Sequence, residues 1–342
     1  MKKGPIHKFA HQAMGTFFEV LVAGQDEEYS RSAARAFFQE IDRLEGFFSR
    51  FDQRSEISRI NRLKPGELLP VGLETYECLK LSFSLMRETD GAFNINFRSL
   101  KAEDELDLNT KNNRKNREIS VTTAGPLGEK KTKKSISPGP ENLKKSGDGI
   151  NQFGRLDKEF WKRLFPIELL ETNSGFAAVR LEVPGAGLDL DLGAIGKGYA
   201  LEKAAAVFSD WGISDFLVNA GQSTVYARGE EPWPAAVGGG FDFFKAGKIR
   251  LQNRALSGSG HEVKGEHIFD PRQKKSMSRH LAAWVSHPSA AMADGLSTAF
   301  MVMNLEEIGS YCESHPEVWT LVLSRDKKSY LFKAMDIYEE GL

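Results

Sequence analysis

The chain has 342 residues, of which 40% are hydrophobic and 10% aromatic, enough to bury one sizeable core. Its 46 basic and 47 acidic side chains leave a formal charge of -1, which excludes a molecule-wide field that draws the protein onto nucleic acid or a membrane. Residues 1–16 lack the apolar stretch of a secretory signal, and no segment is apolar for long enough to cross a bilayer. We expect a cytoplasmic protein without a transmembrane segment, or an exported one whose signal has been removed.

The N-terminal part predicts a strand followed by two amphipathic helices. FFEVLV at 17–22 has the apolar alternation of a strand. Apolar residues then recur at helical spacing in two segments, Phe37, Ile41, Leu44 and Phe48 in the first and Leu73, Tyr76, Leu79, Phe83 and Met86 in the second. The two cysteines, Cys78 and Cys312, lie far apart in helix-like segments. We therefore expect reduced core thiols and neither a disulfide scaffold nor a zinc cluster.

Residues 109–147 differ in composition from the rest of the chain. They hold ten Lys or Arg against three Asp or Glu, with Gly, Pro and Ser among few apolar residues. Such a segment cannot bury enough apolar surface to fold by itself. We predict a basic, low-complexity surface insertion that either attracts phosphate or an acidic partner or is simply a solvated loop.

The second half predicts a strand, a glycine turn and a helix in succession. LDLDL at 188–192 reads as a strand that enters GAIGKG at 193–198, and an apolar stripe then indicates a helix that ends at Gly212. The stripe consists of Leu201, Ala205, Phe208 and Trp211. Further strands are predicted at 215–219, 223–229, 248–252, 319–324 and 329–333. Helices and strands alternate irregularly, so we predict a mixed α+β fold with a single domain over residues 1–342.

The glycine turn is a candidate anion site. Gly193, Gly196 and Gly198 allow backbone N–H groups to approach a ligand at a helix start, and Lys197 adds a positive charge. The spacing matches neither the Walker pattern nor GxGxxG. A phosphate site and a tight strand-to-helix corner with a surface lysine both remain open.

A second candidate site lies in SAAMADGLSTAF at 289–300, a helix-like run of small and apolar residues. Asp294 and Thr298 are four positions apart and therefore share one face of a helix. Together they can ligate a hard cation such as Mg²⁺, which prefers oxygen ligands. The alternative is a carboxylate that answers the dipole of its own helix, with the threonine bonded back to a carbonyl.

Two further stretches carry polar groups. GEHIFDPRQKKS at 265–276 places His267 near a turn at Asp270 and Pro271. This histidine can relay a proton, donate a hydrogen bond to a phosphate oxygen, or have a purely structural role. The run from Ser257 to Gly260 offers hydroxyls and backbone donors, or forms a flexible loop.

Six stretches in order resemble the signatures of the ApbE family of FAD:protein FMN transferases: MGTFFEV (14–20), FSRFDQRSEISRIN (48–61), TDGAFN (89–94), LDLGAIGKGYALE (190–202), HIFDPR (267–272) and ADGLSTA (293–299). Their order and spacing make the resemblance specific, and it covers nearly the whole chain apart from the basic insertion. It implies an ApbE-like fold, with mixed sheets, flanking helices and an active site between two halves. It also implies an enzyme that binds FAD, uses Mg²⁺ at the pyrophosphate, transfers FMN to a Thr or Ser hydroxyl of a flavoprotein and releases AMP.

The resemblance also implies a role for particular residues. Asp294, Thr298 and the backbone carbonyl of Ala194 match the family's metal ligands. His267, together with Asp294, is the candidate catalytic residue, and it positions or deprotonates the acceptor hydroxyl. The positions assigned to FAD are Met14, Phe51, Asp191, Gly193, Lys197, Tyr199, Ser259 and His267.

The chain departs from the family pattern at four places. Phe51 stands where many relatives carry tyrosine, the basic insertion stands where a WGF stretch is common, GAFNIN at 91–96 replaces GAFDP, and GQS at 221–223 replaces GGD. The last two changes remove a carboxylate, at Asn94 and at Ser223. Two alternatives therefore accompany the transferase: a catalytically degenerate FAD-binding protein, and an FAD pyrophosphatase that yields FMN and AMP.

Overall fold

The computed structural model describes residues 4–102, 161–162, 164–171, 177–182, 187–221, 223–237, 247–260, 268–333 and 337–338. The basic insertion at 109–147 and His267 lie outside these residues, so what was predicted for them stays a prediction.

In chain order the strands are β1 (Ile6–Ala13), β2 (Thr16–Ala23), β3 (Leu68–Val71), β4 (Ile167–Glu171), β5 (Ala177–Leu181), β6 (Phe216–Ala220), β7 (Thr224–Arg228), β8 (Trp233–Val237), β9 (Gly247–Leu251), β10 (Arg254–Gly260), β11 (Phe269–Asp270), β12 (Lys275–Ser276), β13 (His280–His287), β14 (Trp319–Ser324), β15 (Ser329–Phe332) and β16 (Ile337–Tyr338). The helices are α1 (Glu27–Phe48), α2 (Glu56–Ile60), α3 (Leu73–Glu88), α4 (Gly196–Ala205), α5 (Val207–Asp210), α6 (Ala290–Phe300) and α7 (Leu305–Ser314).

An eight-stranded sheet forms the centre of the fold, in the order β1-β2-β6-β7-β10-β13-β14-β15. Smaller sheets are formed by β16-β9-β8, by β3-β5-β4 and by the pair β11-β12. The α+β class is confirmed, and within the described residues the sheets are antiparallel rather than mixed in direction. Antiparallel strands need only short connections, and β1 and β2 are joined by two residues, Met14 (φ 49°) and Gly15 (φ 70°). Positive φ at both positions is typical of the hairpin turn whose twist matches the strands.

Helix α6, which carries Asp294 and Thr298, is largely buried. It packs on β10 and β13 of the central sheet and is crossed by α4. Nearly all of its residues are buried, which explains its small and apolar composition. At the crossing, a Cβ added to Gly198 would lie 2.2 Å from the carbonyl oxygen of Ala290. Only glycine permits the two helix backbones to approach this closely.

Several sequence predictions are confirmed. The stripe Phe37, Ile41, Leu44 and Phe48 is the buried face of α1. The segment 73–88 is α3, and the strands predicted at 17–22, 215–219, 223–229, 248–252, 319–324 and 329–333 correspond to β2, β6, β7, β9, β14 and β15. Cys78 and Cys312 are buried free thiols in α3 and α7, and burial raises the pKa of Cys312 to about 12. None of the helices described has the length and apolar character needed to cross a membrane.

Other predictions are wrong in detail. LDLDL at 188–192 forms no strand, because its backbone groups bond to side chains and to a loop instead of a neighbouring strand. The helix predicted up to Gly212 is divided into α4 and α5 at Ala206, although Gly212 does end it with φ 63°. The run from Ser257 to Gly260, for which a flexible loop was one alternative, belongs to strand β10.

Candidate functional site

The carboxylate of Asp294 lies at the crossing of α4 and α6 and is only 4% exposed. Its Oδ2 accepts a hydrogen bond of 3.1 Å from the backbone N–H of Gly198, the third residue of α4. The first four N–H groups of a helix have no partner inside the helix. Asp294 therefore caps α4 from a different helix, where the dipole of α4 favours a negative charge.

The position of Asp294 argues against one of the two interpretations, a carboxylate that answers the dipole of its own helix. Asp294 is the fifth residue of α6, beyond the first turn, so it does not answer the dipole of its own helix. The N–H of Gly198 is oriented to Asp294, although the Ala194 carbonyl lies four residues before it, at the spacing of a helical bond. Among the described residues the Ala194 carbonyl accepts no backbone hydrogen bond. The Gly198 N–H thus bonds the Asp294 carboxylate and not the Ala194 carbonyl.

The other carboxylate oxygen faces hydroxyl groups of the central sheet. Thr224 of β7 donates to Oδ1 of Asp294 over 3.3 Å, and the hydroxyl of Ser257 in β10 lies 3.4 Å from the same oxygen. The two hydroxyls are 3.0 Å apart. All three residues are buried, so the carboxylate is held from both the helix side and the sheet side.

A second group of hydroxyls continues from β10 to the next turn of α6. Ser259 Oγ lies 2.9 Å from Ser297 Oγ and 3.3 Å from Thr298 Oγ1. Ser297 donates to the Asp294 carbonyl over 2.9 Å, whereas the distance from Thr298 Oγ1 to that carbonyl is 3.5 Å. The contact from the Thr298 hydroxyl to the Asp294 carbonyl is thus at the distance limit of a hydrogen bond, so Oγ1 of Thr298 is available to another partner.

A line of polar contacts connects Asp294 with the surface. Lys197 Nζ donates to the Gly193 carbonyl over 2.7 Å and lies 3.9 Å from Asp294 Oδ2. Gly193 N donates to Asp191 Oδ1 over 2.8 Å, and Asp191 Oδ2 is 3.9 Å from Arg50 Nε. The guanidinium of Arg50 stands 5.0 Å from the ring centre of Phe51, which is 84% exposed. Five of the predicted residues, Phe51, Asp191, Gly193, Lys197 and Asp294, therefore lie along one chain of contacts that includes Arg50 and runs from the exposed ring of Phe51 to the buried carboxylate.

Asparagine side chains hold the segment that precedes the glycine turn. Asn61 bonds both backbone groups of Leu190, with distances of 2.7 and 3.0 Å, and Asn96 accepts from the N–H of Asp189 over 2.9 Å. Asn94 of GAFNIN is buried and bonds Asn96 N and the Leu164 carbonyl. The amide at 94 thus connects its own turn at Asn96 with the backbone at Leu164, which is a structural role.

Tyr199 and Met14 have contacts of a different kind. The ring of Tyr199 packs edge-on against Phe48 with centroids 5.7 Å apart, and its hydroxyl donates to Glu77 over 2.8 Å. Burial raises the pKa of the Tyr199 hydroxyl far above its usual range, and the bond to Glu77 adds to this. Met14 is half-buried against the main core at the tip of the β1–β2 hairpin. The FAD contacts predicted for both residues stay predictions.

Three residues at this site were not singled out in the sequence. Thr224 and Ser297 complete the hydroxyl groups around Asp294, and Glu202 bonds the start of α6. Ser297 stands three positions after Asp294, and Glu202 four positions after Gly198, which are neighbouring positions on a helix face. This spacing was a usable signal, whereas nothing local identifies Thr224.

The donors around Asp294 suit a hard cation. The described residues contain no group of three His, Cys, Asp or Glu that could hold a metal. The Asp294 carboxylate, the neighbouring hydroxyl groups and the Ala194 carbonyl, which accepts no backbone hydrogen bond within the described part of the chain, instead offer only oxygen atoms, as in Mg²⁺ and Ca²⁺ sites. The adjacent N-terminus of α4 and the ammonium of Lys197 favour an anion at the same place. The arrangement therefore fits a cation and an anionic ligand side by side.

Comparison with known proteins identifies the family of the chain. The ApbE family model matches residues 14–322. The FAD:protein FMN transferase of Klebsiella pneumoniae (strain 342) is 25% identical over 312 residues, which cover 86% of this chain and 78% of that protein. The same-named protein of Rhodobacter capsulatus is 31% identical over 131 residues, which cover 35% of this chain and 25% of that protein.

Solved structures share the fold. The Pseudomonas stutzeri flavinyl transferase ApbE in its apo form superposes with a TM-score of 0.68 at 19% identity, covering 97% of this chain and 96% of that one. The ApbE protein of Thermotoga maritima gives 0.67 at 22% identity, covering 96% and 97%. Because the family model spans most of the sequence, this chain belongs to the ApbE family.

Proposed function

We propose that this chain is an FAD:protein FMN transferase, which moves FMN from FAD to a Thr or Ser hydroxyl of a flavoprotein and releases AMP. The observation that carries the proposal is the meeting of the Asp294 carboxylate, the N-terminus of α4 and Lys197 at one crossing of two helices. The relatives' names support it, since all five matched curated proteins are FAD:protein FMN transferases.

The reaction exchanges one phosphorus–oxygen bond for another. The acceptor hydroxyl oxygen bonds to the phosphorus on the FMN side of the FAD diphosphate, and the bond from that phosphorus to the bridging oxygen breaks. AMP leaves with the bridging oxygen, and the hydroxyl proton passes to a base. In this scheme the protein's task is to position the groups and to stabilise negative charge on the diphosphate.

The glycine turn and α4 are suited to hold the diphosphate. The helix N-terminus presents a partial positive charge, and the Lys197 ammonium is anchored beside it on the Gly193 carbonyl. The exposed ring of Phe51 offers a flat apolar face for the flavin, and Arg50 beside it adds a positive charge. His267 is our candidate for the group that positions or deprotonates the acceptor hydroxyl.

We further propose Mg²⁺ as the cation, held by Asp294, Thr298 and the Ala194 carbonyl. The fit rests on the oxygen-only donors and on the Ala194 carbonyl, which lacks a backbone donor within the described residues. When bound, the ion supplies charge neutralisation at the diphosphate oxygens. Asp294 is pre-oriented for this role because Gly198, Thr224 and Ser257 fix its carboxylate before any ligand arrives.

The test is AMP release from FAD with Mg²⁺, with and without EDTA, in the presence of a Thr-containing acceptor, followed by mass analysis of that acceptor. We expect AMP and an FMN-sized mass gain in wild-type protein, and neither product after EDTA or in Asp294→Asn and Asp294→Ala. The asparagine variant keeps an acceptor for the Gly198 N–H, so it separates loss of chemistry from loss of fold.

The alternatives are distinguished by the same assay. AMP with free FMN and an unmodified acceptor identifies the pyrophosphatase. FAD binding without AMP identifies a degenerate binder, and unchanged FMN attachment in both Asp294 variants would remove the metal role from this residue.

A further inference from the structure

A second carboxylate at the same helix crossing has no role in the chemistry described above. Glu202, in the middle of α4, reaches the start of α6. Its Oε2 accepts hydrogen bonds from Ser289 Oγ at 2.7 Å, from Ala290 N at 2.9 Å and from Ala291 N at 3.5 Å. These groups belong to the N-cap and the first two residues of α6, whose N–H groups have no partner inside that helix.

The two helices therefore cap each other. Asp294 of α6 caps the N-terminus of α4 at Gly198, and Glu202 of α4 caps the N-terminus of α6 at Ala290. Gly198 and Glu202 are four residues apart and share one face of α4, as Ala290 and Asp294 share one face of α6. Each carboxylate also lies at the positive end of the partner helix dipole. The close contact of Gly198 with the Ala290 carbonyl lies between the two caps.

We propose that Glu202 is a positioning residue that fixes where α6 presents Asp294 and Thr298. The catalytic consequence of this inference rests on the proposed function, whereas the geometry of the two caps does not. With one cap removed, α6 can shift or rotate over α4 about the remaining contact at Gly198. The Asp294 carboxylate then no longer meets the Gly198 N–H and the two sheet hydroxyls together.

The direct test is amide hydrogen exchange at Gly198, which reports on the bond to Asp294. We expect exchange in Glu202→Ala to become about tenfold faster, the order expected for loss of one hydrogen bond. Glu202→Gln, which keeps an acceptor but not the charge, is expected to lie between Glu202→Ala and wild type. Glu56→Gln is the control, because Glu56 of α2 likewise reaches another helix and accepts at 2.8 Å from the N–H of Gly72, the residue that precedes α3.

A functional readout separates positioning from general destabilisation. The Mg²⁺ concentration for half-maximal AMP release is expected to rise about tenfold in Glu202→Ala, while kcat at saturating Mg²⁺ falls by a smaller factor. Glu56→Gln is expected to leave the Mg²⁺ requirement unchanged, even where its melting temperature falls as far as that of Glu202→Ala.

The outcomes are distinct. Wild-type protection of Gly198 in Glu202→Ala, or an equal loss of protection at Gly198 in Glu56→Gln, overturns the inference. Absence of AMP from the wild-type protein overturns the proposed function instead, and the exchange comparison still decides the role of Glu202.

Discussion

Replacing Gly198 by alanine tests how closely α4 and α6 must approach for the site to form. The added Cβ would lie 2.2 Å from the Ala290 carbonyl oxygen, 2.7 Å from its carbon and 2.8 Å from Asp294 Cβ, whereas ordinary contacts begin at 3.4 Å. Two of the three atoms are backbone, so no rotation of a side chain relieves the overlap. The helices must separate by about 1 Å, in an interior packed as densely as a crystal.

The expected change in stability is the difference of two effects. Overpacking a well-packed contact costs about 1–3 kcal/mol, and contact with rigid backbone points to the upper part of that range. Alanine in place of glycine within a helix raises the free energy of unfolding by about 1 kcal/mol. We therefore expect the free energy of unfolding to fall by about 1–2 kcal/mol. The same separation stretches the bond from Gly198 N to Asp294, so AMP release is expected to fall by more than tenfold.

Gly46→Ala is the matched control. Gly46 lies within α1, and a Cβ added there would meet nothing within 4 Å. This variant is expected to gain about 0.5–1 kcal/mol, without any change in activity. Urea unfolding measures the stability of the two variants, and AMP release measures their activity. If Gly198→Ala is stabilised as Gly46→Ala is, and keeps its activity, the reasoning about the helix crossing is refuted.

Two further predictions concern the flavin contact and the pH dependence of stability. Phe51→Ala is expected to weaken FAD binding about three- to tenfold without lowering stability, because an aromatic contact is worth about 0.5–1.5 kcal/mol. Phe51→Tyr is expected to retain binding. Equal quenching of flavin fluorescence by wild type and both variants would contradict this. Burial lowers the pKa of His280 and of His287 below the 6.5 of an exposed histidine. Both therefore stay neutral in the folded state while the unfolded chain takes up protons, so the urea midpoint should fall as the pH drops below about 6.5, and less so in His280→Gln. A midpoint that is flat from about pH 7.5 to pH 5 would exclude this contribution.

Local patterns predicted the elements that have one apolar face or a marked end. The stripe of α1 and the stop at Gly212 follow from helical spacing and from glycine at positive φ, and both are found. The strand predicted at 188–192 failed because an apolar run shows burial but not what its backbone groups bond to, and here Asn61 takes the place of a neighbouring strand. At the site, Asp294 and Thr298 were predicted to be neighbours because positions four apart share a helix face, and Lys197 was predicted from the glycine turn at a helix start.

The sequence by itself determined the helix and strand segments with a regular apolar period, the pairing of a carboxylate with a hydroxyl on one helix, and the family resemblance. Only the tertiary structure decided what these groups meet. The bond from Gly198 to Asp294 joins residues 96 positions apart, and the bond from Ala290 to Glu202 joins residues 88 apart. Spacing along a chain reports neighbours within one helix or strand, whereas these bonds depend on how two helices cross, and at this crossing Gly198 leaves the space that the Ala290 backbone occupies.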